Sequence, residues 1–485
     1  KHQMNVEFFK EFGRTNPTLP LTDAGNIVQG NACRLDWEEV CPKSVDDEVY
    51  ILGNPPYLGA RMQSDNQKKD MAIVFEGLKG SNNLDYISCW FKNATTYITN
   101  ANAQSAFVST NSISQGEQVE LLWPHLISEN IEIGFTYQSF KWTNNAKANA
   151  GVSVVIIGLR NLSNMPKFIF GENFKLKATN INAYLVNAKN IIIKKRTDPI
   201  SNIPSMCFGS MPNDGGFLTN DLETYLELDK KHNFIKPLIG GNELIKNIKA
   251  YCLWIDEENK EAAYADSFIA DRIKKVKEYR LKSKRKATND LASFPYRFGE
   301  VRHQNTEAII VPATSSENRS YLPIGFIQKG TIVKNSVQVI YNSEPWLFSI
   351  LTSKLHLIWV KAVGGQLETR IRYSAVLCYN TFPFPNSSKQ RKEELTQCTL
   401  KIIDERLKHS EKTLAQLYDP DKMPEGLKEA HHQNDLAIER CYRSTPFNSD
   451  EERLEYLFKL YEKMIQEEKD KDTLFAKQKK TRKRK

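Results

Sequence analysis

Two hydrophobic periods divide this chain. Through its first third, short apolar runs at residues 48–52 (EVYIL), 105–109 (SAFVS), 131–137 and 152–159 read as strands. Between them, residues 84–99 (LDYISCWFKNATTYIT) and 116–129 read as helices. Such alternation predicts an open α/β sheet with helices on both faces and its chemistry at the C-terminal ends of strands. From 165 to 386 the pattern is irregular, with short β runs at 308–312, 325–327 and 337–341 and one strongly basic helix. From 387 the chain turns polar and helical, with Leu395, Ile402, Ile403 and Leu407 at roughly helical spacing. Asp419-Pro420 and Met423-Pro424 interrupt that region as breakers. The expected division is 1–164, an α/β catalytic sheet; 165–386, a mixed α+β domain; 387–476, a helical region; and 477–485, a solvated, disordered tail.

Composition narrows the class. The 485 residues are 40% hydrophobic and 26% charged, ordinary for a folded protein. Sixty-seven Lys and Arg against 58 Asp and Glu give a formal charge of +9. Seven of the basic residues lie in 477–485, so the body is near neutral, which argues against a polycation and permits a patterned nucleic-acid surface. The longest apolar run, around 152–159, is far short of a membrane helix, so no membrane partner is expected. No charged-then-apolar leader opens the chain. Eight scattered Cys form no CxxC pair and have no His at zinc spacing, so they read as reduced thiols in a cytoplasmic protein, with no metal site. His431 and His432 are adjacent, cannot both face one site, and are assigned a structural role.

The chemistry sits in residues 48–59 (EVYILGNPPYLG), where Asn54-Pro55-Pro56-Tyr57 directly follows a strand. Two prolines remove two backbone donors, fix φ and push the preceding residues toward extended geometry. Carbonyls in that stretch therefore point outward in set directions, beside the Asn54 amide and the Tyr57 ring. The Asn54 side-chain oxygen and the Pro55 carbonyl can each accept one N–H of an exocyclic amino group on a planar ring. The bland alternative is a proline-stiffened turn.

This stretch resembles the catalytic motif of S-adenosylmethionine-dependent amino-methyltransferases, above all DNA adenine-N6 enzymes. Residues 25–37 (GNIVQGNACRLDW) resemble the preceding cofactor motif, which gives Asn31 a contact to the cofactor's adenine. Residues 85–91 (DYISCWF) and 106–115 (AFVSTNSISQ) resemble the following blocks, and 140–159 resembles the block that supplies a second aromatic, Phe140, to a flipped base. Residues 251–255 (YCLWI), 315–326 (SSENRSYLPIGF), 372–374 (RYS), 380–385 (NTFPFP) and 417–431 (LYDPDKMPEGLKEAH) extend the likeness to the MmeI-like class of single-chain type II restriction–modification enzymes. The resemblance implies a class I methyltransferase sheet, then a target recognition domain, then helices that clamp DNA. It implies Asn54, Pro55, Pro56 and Tyr57 as catalytic and Asn31 and Asn54 as cofactor-binding. The Gly-rich cofactor motif, the ribose-binding acid and the nuclease of that class lie further upstream. The expectation is the C-terminal part of a longer enzyme, with an exposed sheet edge, that neither retains S-adenosylmethionine nor methylates unaided.

Two further runs point at double-stranded DNA. Residues 271–286 (DRIKKVKEYRLKSKRK) hold nine basic residues against two acids. With Ile273, Val276 and Tyr279 as an inner side, Arg272, Lys275, Lys282 and Arg285 can face phosphates, a solvated helix being the alternative. In residues 366–372 (QLETRIR), Glu368, Arg370 and Arg372 share one face if the run is extended. Arg can grip guanine and Glu can accept from cytosine. A salt-bridge ladder fits the same spacing, and the resemblance selects base readout. Rival functions are methylation of an RNA base or a protein glutamine, and a non-catalytic DNA-binding specificity fragment.

Overall fold

The computed structural model describes Lys10 and residues 26–127, 130–142, 152–172, 174–220, 222, 234–367 and 370–482. Six strands form the largest sheet: β1 (Val49–Gly53), β2 (Ala103–Thr110), β3 (Ile131–Trp142), β4 (Val152–Asn161), β5 (Lys167–Phe170) and β6 (Lys175–Ala178). Their order is β1-β2-β4-β3-β5-β6. β1 and β2 are parallel, β4 runs antiparallel to both its neighbours, and β3 is parallel to β5. A parallel pair needs a crossover. Here it is made by the helices Asp65–Val74 and Ser88–Ile98.

The first of these helices starts at a capping box between Ser64 and Gln67. The second buries Cys89, Phe91, Ala94 and Ile98. Phe91 meets Phe107 of β2 edge-on, with ring centroids 5.3 Å apart. β2 alternates buried and half-buried positions along its whole length, as a strand with both faces covered should. Among the described residues β1 has a ladder partner on one side only, and Leu52 is 75% exposed.

Several sequence expectations shift. The helix expected at 116–129 stops at Leu122 and tightens into one turn at Trp123–His125, because Pro124 has no N–H to continue the ladder. The sheet continues past residue 164, where its end was expected: β5 pairs with β3 and buries Ile169. Residues 345–363, read as irregular, form two helices: Pro345–Leu351, buried on nearly every side, and Lys354–Val363, which leaves a face of Lys354, Ile358, Lys361 and Ala362 less buried. The first is apolar nearly all round and shows no stripe, and the second spans under three turns, too short for its stripe to stand out. Among the described residues no single helix is long and apolar enough to cross a membrane.

Three small sheets and the basic helix Ser267–Leu281 fill the middle of the chain. The C-terminal helices are Lys389–Leu407, Leu414–Leu417, Glu425–Tyr442 and Asp450–Arg482. Leu395 and Ile402 are buried as expected, whereas Leu407 is exposed and Thr399 completes the inner face. The last helix runs to Arg482, into the tail expected to be disordered, since Lys, Arg and Gln are good helix formers. One hydrophobic core links all three regions: Trp359 lies against Phe458 and Tyr461 at 5.4 and 5.8 Å. A second core surrounds the basic helix.

Candidate active site and nucleic-acid interface

β1 ends at Gly53, opposite Phe107 of β2, and the 54–57 loop leaves from that end. Asn54 is exposed, Pro55 buried, Pro56 exposed and Tyr57 half-buried against the main core. The chain after the loop is held down firmly. Leu58 donates its N–H to Asp85 Oδ1 at 2.9 Å and accepts from Tyr86 N at 3.0 Å and Gln63 Nε2 at 3.1 Å. Asp85 Oδ1 also accepts from Ile87 N at 3.2 Å, so one carboxylate ties the loop to the start of helix Ser88–Ile98. Burial pushes the Asp85 carboxyl up despite these backbone donors. Asp85 stood in the block 85–91 without an assigned role and Gln63 was not singled out; single polar residues carry no periodic signal.

Phe140 reaches the same end of the sheet. Val154 of β4 pairs with both Thr110 of β2 and Phe140 of β3, so Phe140 is level with the last residue of β2. One extra residue in β3 between Tyr137 and Phe140 makes a bulge there, the usual device for re-aiming a side chain. A cleft of about 580 Å³ opens at this end, with Asn111, Ser114, Gln138 and Ser139 from the sheet side and Lys361 and Ile371 opposite.

Asn31 is tied into a network. Its Nδ2 donates to Asp70 Oδ2 at 3.0 Å and its Oδ1 accepts from Cys33 N at 2.9 Å. Asp70 also accepts from Arg34 Nε at 2.6 Å and Tyr86 OH at 2.6 Å. Burial opposes a charge on Asp70, but the donors Tyr86, Asn31 and Arg34 outweigh it and hold the carboxyl below its usual value. Asparagine has two N–H donors and two acceptor lone pairs. One N–H and one lone pair of Asn31 thus remain beyond these contacts, on an exposed residue.

The 366–372 run is a hairpin rather than one extended strand. Gly365–Leu367 pairs with Arg370–Arg372 in the register Leu367↔Arg370, and Thr314–Ser315 flanks the second strand. Ile371 is buried, while Arg370 and Arg372 are exposed on the other face. Glu368 lies outside the described residues.

The basic helix departs from expectation in its inner side. Ile269, Ile273, Val276 and Arg280 are buried, and Tyr279 is 46% exposed, because the inward stripe advances by four and three residues rather than by threes. Arg272 Nη1 donates to the carbonyls of Phe217 and Asn220 at 2.8 and 2.9 Å, and the guanidinium lies over the Phe268 ring. Lys275 pairs with Asp271 at 2.6 Å. Lys282 and Arg285 are exposed. Arg280, counted among the basic residues of the run, is fully buried and donates to the carbonyls of Pro212, Asn213, Leu291, Phe294 and Arg297 at 2.8–3.0 Å. Burial lowers its pKa to about 10, so it stays charged at neutral pH. His431 is buried, bonded to Tyr418 OH at 2.8 Å and stacked on Tyr321.

Comparison with known proteins gives these parts a family. Residues 1–171 match the MmeI DNA-methyltransferase domain, 187–386 the MmeI target recognition domain and 386–467 the MmeI C-terminal domain. DNA methyltransferase A of Bacillus subtilis (strain 168) is 46% identical over 472 residues, covering 96% of this chain and 54% of that protein. The solved structure of the type IIL restriction-modification enzyme MmeI in complex with DNA superposes with a TM-score of 0.83 at 38% identity, covering 96% of this chain and 63% of that one. The chain thus spans little more than half of its curated relative. With matches to the MmeI methyltransferase, target recognition and C-terminal domains following one another along nearly the whole chain, this chain belongs to the MmeI family of methyltransferase and target-recognition proteins.

Proposed function

We propose that this chain is the catalytic and sequence-reading part of a DNA adenine-N6 methyltransferase that uses S-adenosylmethionine, in a restriction–modification system. The observation that carries the reading is Asn54-Pro55-Pro56-Tyr57 leaving the C-terminal end of β1, with an aromatic, Phe140, level with the C-terminal end of β2 at the same end of the sheet. The target base leaves the duplex, at a cost of a few kcal/mol, and enters between these groups. Tyr57 offers its ring face to the purine and Phe140 an edge. Asn54 Oδ1 and the Pro55 carbonyl accept the two N–H bonds of N6, which turns the nitrogen lone pair out of the ring. With the donor bound, N6 would take the methyl group as the carbon–sulfur bond broke, and one N6 proton would pass to solvent water, while Asn54 Oδ1 and the Pro55 carbonyl hold the nitrogen. The donor supplies a methyl group on a positively charged sulfur, so the leaving group is a neutral thioether.

Asn31 and Asn54 are the residues that would contact the donor on this reading. Arg370 and Arg372 would read guanines, and Lys282 and Arg285 would meet phosphates. The test is transfer of labelled methyl to duplex DNA by the full-length protein, followed by nucleoside analysis. N6-methyladenine is expected, and Asn54→Ala should lower the rate by about 100-fold or more while duplex affinity changes only a few-fold. Normal methylation by Asn54→Ala, or label found in RNA or protein instead, would refute the assignment.

A further inference from the structure

Gly116 opens the helix Gly116–Leu122 with φ of +57°, and a Cβ built on it would meet the Cα of Gly365 at 3.2 Å and its N at 3.4 Å. Two distant segments thus come backbone to backbone, closer than a Cβ at 116 fits unless its neighbour gives by a few tenths of an ångström. The contact joins the two ends of the proposed reaction. Gly116 follows β2 at the end of the sheet that carries the 54–57 loop and Phe140. Gly365 pairs directly with Arg372 in the hairpin that leaves Arg370 and Arg372 exposed. Beside it, Gln115 Nε2 reaches the Lys361 carbonyl at 3.4 Å, in the last turn of the helix that leads into the hairpin. The cleft between sheet and hairpin has Ser114, Gln115, Lys361 and Ile371 in its wall.

We infer that Gly116 is a positioning residue for specificity: by admitting Gly365 so closely, it sets the span between the outward arginines and the methyl-acceptor pocket. This rests on the DNA methyltransferase reading above. A side chain at 116 pushes the hairpin off its seat, by a few tenths of an ångström for Cβ and further for a larger group. A reacting centre misplaced by about 1 Å loses on the order of 100-fold in rate. The two glycines are not equivalent. A Cβ on Gly365 would meet nothing within 4 Å.

The experiment compares Gly116→Asn and Gly365→Ala with the parent in the full-length protein. Asparagine tolerates the left-handed backbone, so Gly116→Asn adds volume with little strain. Expected for Gly116→Asn is a kcat on the preferred duplex lowered about tenfold or more. Its KM for DNA and its melting temperature should stay close to the parent's, with a changed preference between the preferred site and single-base variants. Gly365→Ala should match the parent. Unchanged kcat and preference in Gly116→Asn overturns the inference, as does a melting loss that accounts for the defect or an equal loss in Gly365→Ala. A parent that methylates no DNA overturns the functional reading and this inference with it; an active parent with an indifferent Gly116→Asn overturns this inference alone.

Discussion

The backbone N–H of Lys354 donates to Asp435 Oδ1 at 2.8 Å, so a buried acid from the C-terminal helices caps the helix that leads into the hairpin. Asp435 Oδ2 accepts from Tyr321 OH at 2.8 Å. Even so, burial dominates, and the Asp435 carboxyl is pushed up to about 7. Its folded pKa exceeds its unfolded value of about 3.9. The native state therefore binds more protons between those two values, and stability contributed by this group is full below about 4 and lost as pH rises through 7. Asp435→Asn keeps an acceptor for Lys354 and cannot ionise. It should flatten the decline of melting temperature between pH 4 and 7 and melt above the parent at pH 8. A parent-like slope in the variant, followed by thermal melts across that range, would assign the dependence elsewhere.

Arg280 supports a second prediction. Its guanidinium is the common donor for five carbonyls from 212 to 297, inside a core separate from the one Tyr57 packs against. Arg280→Met keeps most of the volume and strands those acceptors, at about 3 kcal/mol or more. Arg280→Lys offers three donors from one point and should recover part of the loss. Denaturant melts should show the Met variant weakest, the Lys variant between. Methyl transfer per folded molecule by the Lys variant should stay near the parent's, because this residue faces carbonyls rather than solvent.

Arg370 and Arg372 carry the third. Both project from the exposed face of a strand whose alternate residue, Ile371, is buried. Arg370→Ala should relax the choice of base at one position of the methylated site, by about 1–3 kcal/mol of discrimination, with weaker preference rather than uniformly weaker binding. Sequencing of methylated sites from a randomised duplex pool reads this directly. A uniform fall in affinity, with the site unaltered, would make the arginine a phosphate contact.

What the sequence disclosed follows physical lines. The Asn-Pro-Pro-Tyr loop was legible because two prolines after an apolar strand leave few backbone options, and Val152–Asn161 because its run of branched residues has strand length. Helix Pro345–Leu351 was not, since a segment apolar nearly all round has no period to detect, nor was Lys354–Val363, whose stripe spans under three turns. Arg280 looked like its eight basic neighbours; only the arrangement of distant carbonyls separates a buried hub from a solvated charge. The commitment of Arg272 to Phe217 and Asn220 was hidden for the same reason. Gly116 gave no local sign either, because the need for a missing side chain comes from residue 365.

The shared apolar interior that holds Phe107, Ile371 and Leu457 together has an evolutionary corollary. A module sharing its packing with both neighbours cannot be traded between lineages like a cassette without repacking all three. Novelty in what such a protein recognises should arise instead by drift at a few solvent-facing codons, Arg370 and Arg372 foremost, while the inward-facing Ile371 between them stays fixed.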